Sequence, residues 1–132
     1  MVNNKNRKNP LSPHLQIYKP QITSVLSISH RISGVLLSLG LLCMFGFVIL
    51  LSLGENYYKI WLCFSNSILG EIILMGWVVA LFFHTFNGVR HLFWDYGVGL
   101  SINVSKWTGI VVCLLTIFLS FLVGFYFLGL IV

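Results

Sequence analysis

Residues 108–132 run for 25 positions without one charged side chain, and that feature restricts the fold more than any other. An α-helix needs ~20 consecutive apolar residues to cross a hydrocarbon core about 30 Å thick. Two more such runs precede this one. Residues 35–53 supply 19 uncharged positions, and residues 72–89 form a further run bounded by Glu71 and Arg90. A backbone in lipid must satisfy its own hydrogen bonds, so three runs of this length predict an all-α integral membrane protein with three transmembrane helices. Composition agrees: 8% of the 132 residues are charged, about a third of what a soluble domain carries.

Helices are predicted near 24–53, 67–95 and 107–131, all within one membrane anchor domain, 24–132. The first is expected to begin ahead of its apolar run, near Ser24, because residues 27–34 contain no breaker. Residues 1–23 are polar and punctuated by Pro10, Pro13 and Pro20, which reads as an extended arm on the inner membrane surface. Residues between the first two spans, with Glu55 and Lys59, read as a short loop.

The net charge of +5 does not point to nucleic acid, because the cations sit between apolar runs rather than on one water-facing surface. They report topology instead. The arm and the second loop, with the span ends beside them, hold Lys5, Arg7, Lys8, Lys19, Arg31, Arg90 and Lys106, and the first loop holds only Lys59. The N-terminus and second loop are therefore expected on the cytoplasmic or matrix side, with the C-terminus opposite. Trp61, Trp94 and Trp107 fall near the span ends, as an aromatic belt requires. Cys43, Cys63 and Cys113 lack metal-ligand spacing, so neither a disulfide framework nor an iron–sulfur cluster is expected. The first ten residues lack the apolar core of a signal peptide and the pattern of a transit peptide, and the N-terminus is expected to be kept.

Ionisable groups inside a span are costly and call for a partner or a task. His84 is the sharpest case. At ~100° per residue, His84, Gly88, His91 and Asp95 form one stripe down the second span. Gly88 leaves a gap where a flat macrocycle could press against the helix, with His84 reaching its iron through an imidazole nitrogen. The plain alternative is a histidine hydrogen-bonded between helices. Two axial ligands on one iron approach from opposite directions. His91, roughly 10.5 Å along the same helix, cannot be the second, so a partner subunit is expected to supply it. A second constellation lies at the inner mouth of the first span, where Ser27, His30, Arg31 and Gly34 share one face and Ser33 lies nearby. Arg90 and His91 reach the same level, so these groups could meet as a cradle for a quinone head or a haem propionate. Against this, Arg31 and Arg90 could simply snorkel to lipid phosphates. Glu71 reads as a terminal residue at the outer end of the second span, His14 as a surface residue of the arm, and Asn103-Val-Ser105 as a chance glycosylation sequon.

Two segments, Ser27-Ile-Ser-His30-Arg31-Ile-Ser33-Gly34 and His84-Thr-Phe-Asn-Gly88-Val-Arg90-His91-Leu-Phe-Trp-Asp95-Tyr-Gly97, resemble the two signatures of the cytochrome b subunit of succinate dehydrogenase, respiratory complex II. The stretch from Pro10 to Tyr18 is similar to the family's N-terminal region, with Asn9 where the family usually has Arg. The resemblance covers roughly residues 10–97; the third span matches in hydropathy only. It implies a membrane anchor that pairs with a second small anchor subunit, holds haem b between the two, and docks an iron–sulfur subunit and a flavoprotein subunit. It further implies His84 as an axial ligand of the haem iron, Ser27 and Arg31 at a ubiquinone site, and His30, Arg31 and His91 near the haem propionates. A quinol:fumarate reductase anchor shares this architecture, and a cofactor-free structural subunit would make His84 a packing residue.

Overall fold

The computed structural model describes residues 20–127 and 129. The arm, with His14 and Asn9, lies almost wholly outside the described residues. Four helices follow in order: α1 (Ile22–Ser52), α2 (Glu55–Ser65), α3 (Ile68–Asp95) and α4 (Ile102–Phe127). The described residues contain no strand. α1, α3 and α4 are each long and apolar enough to cross a membrane. With 26 to 31 residues apiece, they exceed the hydrocarbon thickness and carry their ends into the headgroup region.

Two bounds and one loop differ from the sequence reading. α1 begins at Ile22, inside the stretch assigned to the arm. α4 begins at Ile102, five residues before the expected start. The loop after α1 contains a helix, α2, whose Glu55 and Lys59 form an i,i+4 ion pair at 3.0 Å. α2 is too short to span, and it lies against α1 through Trp61, whose ring centroid is 5.0 Å from that of Phe47.

The interior is built the opposite way from a soluble core. Buried apolar residues are Leu26, Ala80 and Val112, whereas Ser33, Asn87, Arg90, Ser105, Thr116 and Ser120 are buried polar groups. Large apolar side chains such as Leu42, Phe45, Ile117 and Phe121 face outward. Lipid is as apolar as leucine, so helices associate through close packing and polar contacts, and small residues line the seams. Along α4 these are Ser105, Gly109, Val112, Thr116 and Ser120, spaced by three or four residues on one face, with Gly124 against Met75. α3 is central and packs on both α1 and α4.

Local chemistry fixes the ends of α3. At its start Ser67 Oγ accepts from the Gly70 amide at 3.0 Å, the standard N-cap bond. A side chain at Gly70 would collide with the Phe64 carbonyl, so only glycine permits the tight α2–α3 corner. At its end Gly97 takes φ +77°, and the amides of Gly97 and Val98 bond the carbonyls of Trp94 and Phe93 at 2.8 and 2.9 Å. That is a Schellman closure, which requires a left-handed residue at the position Gly97 fills.

Candidate functional site

Where α1 begins and α3 ends, three histidines come together. The His30 and His84 rings stack with centroids 4.0 Å apart and planes within 10°. His91 lies against His30 at 5.3 Å, tilted by 43°. Small residues let α1 and α3 approach: a Cβ on Gly34 would stand 3.2 Å from His84 Cε1, and one on Gly88 would stand 3.8 Å from His30 Cε1. Beside Gly88, where a macrocycle is expected to press, His30 Cε1 is the near side-chain atom, at ordinary contact distance.

His84 is fixed through one nitrogen. Its Nδ1 lies 3.2 Å from the His30 carbonyl and 3.0 Å from Ser33 Oγ. A carbonyl can only accept, so Nδ1 carries the proton and donates. Ser33 Oγ gives its own proton to the same carbonyl at 2.7 Å, which leaves its lone pairs for His84. In the neutral ring Nε2 is then unprotonated, and it makes no hydrogen bond among the described residues. An imidazole held at one nitrogen by a carbonyl and offering the other is the usual arrangement of a metal-ligating histidine.

A haem is the group the resemblance implies here, and the donor set fits it. His84 offers a bare Nε2, and the buried His30 Nδ1 has no hydrogen-bond partner among the described residues, which suits a carboxylate. Rings stacked face to face at 4.0 Å leave no room for an iron between them, so His30 is not the opposite ligand to His84. Among the described residues no group of three or more His, Cys, Asp or Glu side chains could hold a bare metal ion.

Ser27 and Arg31 lie beside this cluster. The expected single face of Ser27, His30, Arg31 and Gly34 divides: His30 and Gly34 turn into α3, Ser27 is half-buried and Arg31 exposed. Neither the Ser27 nor the Arg31 side chain makes a hydrogen bond or ion pair among the described residues. Asp95, the last member of the predicted stripe, is exposed.

Arg90 departs most from the sequence reading. It neither snorkels nor joins the histidines, but is 5% exposed and bridges α3 to α4. Nε donates to Thr108 Oγ1 at 3.1 Å, and Nη1 to Asn87 Oδ1 at 3.2 Å. Nη2 donates to the Ser105 carbonyl at 2.8 Å and to Ser105 Oγ at 3.1 Å. Gly109 makes the room, its bare Cα facing both Leu26 and the guanidinium. The serine of the apparent sequon is thus a buried acceptor. Sequence reasoning missed this clamp, although the small-residue spacing along α4 marked the face that receives it.

Comparison with known proteins places the chain. A family model described as the transmembrane subunit of succinate dehydrogenase and fumarate reductase matches residues 5–123. The chain belongs to this family. Within it, the succinate dehydrogenase cytochrome b556 subunit of Rickettsia bellii is 45% identical over 108 residues, covering 80% of this chain and 84% of the relative. The cytochrome b560 subunit of Marchantia polymorpha is 39% identical over 122 residues, or 86% of each chain. The human mitochondrial cytochrome b560 subunit is 39% identical over 115 residues, covering 84% of this chain and 67% of the relative. The resemblance read from the two histidine-bearing signatures is thus a family relationship extending well into α4, and with three apolar spans the family member is a multi-pass membrane protein.

Proposed function

We propose that the chain is the cytochrome b anchor of a succinate:ubiquinone oxidoreductase in a bacterial or mitochondrial inner membrane. In this reading it binds haem b together with a second small anchor subunit, and seats the iron–sulfur and flavoprotein subunits on the inner side, where its own N-terminus lies. The observation that carries the reading is His84: Nδ1 donates to the His30 carbonyl and Ser33 Oγ, and Nε2 is left as a bare donor atom. His84 would hold the iron from this chain. His30, with its unpartnered Nδ1, and His91 and Arg31 beside it, would take the propionates. A partner subunit would supply the other ligand. Bound there, the haem supplies a one-electron redox centre whose potential its ligands and surroundings set.

Ser27 and Arg31 serve the quinone. The hydroxyl donates to a carbonyl oxygen of the head group, and the guanidinium stabilises negative charge as the quinone is reduced. Arginine suits the task because its planar guanidinium offers several donors in a fixed geometry. The test is purification of the complex in mild detergent. A reduced-minus-oxidised spectrum of a b-type haem, with an iron–sulfur and a flavoprotein chain copurifying, is expected; a complex without haem absorption identifies a cofactor-free anchor instead.

A further inference from the structure

Arg90 sits on the α4 side of α3, yet its contacts lead back to His84. Its guanidinium lies 4.1 Å over the Trp94 ring. Trp94 meets His91 edge-on at 4.9 Å, His91 meets His30 at 5.3 Å, and His30 stacks on His84 at 4.0 Å. Ser105 and Thr108 of α4 are thereby joined to His84 by an unbroken series of contacts.

Burial of a cation at this depth is expensive unless the charge has a partner. No carboxylate faces Arg90 among the described residues, where Glu55–Lys59 is the only ion pair. Its acceptors are the neutral oxygens of Asn87, Ser105 and Thr108. What such an arrangement does supply is orientation. Bonds from Nε, Nη1 and Nη2 to three different residues fix the guanidinium plane, and a fixed plane fixes the aromatic ring beneath it.

We infer that Arg90 is a positioning residue for His84: by holding Trp94 it sets where His91 and His30 stand, and so how His84 presents Nε2. The inference rests on His84 being a haem ligand. It makes α4 part of the site through Arg90, without a residue of its own in the histidine cluster.

Arg90→Lys, Trp94→Leu and the double substitution, each in the intact complex, test it through the low-temperature EPR signal of the haem. Lysine keeps the charge but cannot hold three acceptors in a plane, so a purely electrostatic influence is preserved while the orienting contacts are lost. The highest g value is expected to shift in both single variants, and the double variant to shift no further than the larger single one, because two residues acting in series are not additive. A wild-type signal in Arg90→Lys, or shifts that simply add, overturns the inference. Should Arg90→Lys fail to assemble, Thr108→Val removes one acceptor only and carries the same cycle with Trp94→Leu. His84→Ala in the same series separates the two claims. If its signal is that of wild type, the ligand reading fails; if it changes while Arg90→Lys does not, only the role of Arg90 fails.

Discussion

Gly34→Ala places one methyl group against the proposed ligand and little else. The new Cβ would lie 3.2 Å from His84 Cε1 and 3.7 Å from Nδ1, so the ring must retreat by a few tenths of an ångström to reach ordinary contact. It is not free to do so. Ser33 Oγ and the His30 carbonyl hold Nδ1 at 3.0 and 3.2 Å, and the His30 ring covers one face at 4.0 Å. Forcing a methyl into such a site costs about 1–3 kcal/mol. If that cost falls on the haem-bound state, haem binding weakens by roughly 5- to 140-fold at 1.4 kcal/mol per decade. The assay is the ratio of haem to protein in the purified complex, with the EPR signal of what remains. Gly46→Ala is the control, because it lies on the same helix with nothing within 4 Å of its Cβ. We expect Gly34→Ala to lower haem content or shift the signal and Gly46→Ala to do neither. Identical haem content and spectra in the two variants refute the placement of Nε2 derived from these contacts.

Ser27→Ala and Arg31→Ala should each slow the ubiquinone-linked rate by roughly one to two powers of ten, since a hydrogen bond to a charged group contributes about 1.5–3 kcal/mol. Succinate oxidation with an acceptor that takes electrons ahead of the membrane should stay near wild type, and a parallel fall of both rates assigns these residues to assembly instead. Gly70→Ala should lower the amount of chain in the membrane severely, because the group it strikes is the Phe64 backbone carbonyl, which cannot turn aside; immunoblotting of membranes measures this. Gly109→Ala meets the end of the Leu26 side chain and the Arg90 guanidinium, of which the leucine can yield. It should cost about 1–3 kcal/mol, read as a lower thermal midpoint of the detergent-solubilised complex.

The spans were legible because lipid leaves the backbone no alternative to the helix, and because length and missing charge are visible in the chain itself. α2 was hidden for a related reason. Its Glu55 and Lys59 break the apolar signal and look like loop residues, whereas in the structure they pair across one turn on the outside of a short helix while Trp61 packs inward on Phe47. Helical angles brought Gly88, His91 and His84 onto one stripe. Angles along one helix say nothing, however, about which side chain of another helix approaches it, and so the sequence did not reveal that His30 comes into contact range of Gly88. Arg90 illustrates the same limit. It points away from the stripe, and its acceptors Ser105 and Thr108 flank Lys106 and Trp107, which read as a loop cation and an interfacial aromatic and carry no sign of a buried partner. Its burial depends on Gly109 coming close to Leu26, a tertiary fact that the spacing of small residues along α4 signals only as a face.

The central claim is that His84 presents Nε2 to a haem iron shared with a partner subunit. Low-temperature EPR and the optical spectrum of the intact complex carrying His84→Ala test it most directly, because they read the ligand field of the iron rather than turnover. Loss of the signal given by two axial imidazoles is expected, with haem either lost or bound in an altered state. A signal and spectrum indistinguishable from wild type would contradict it.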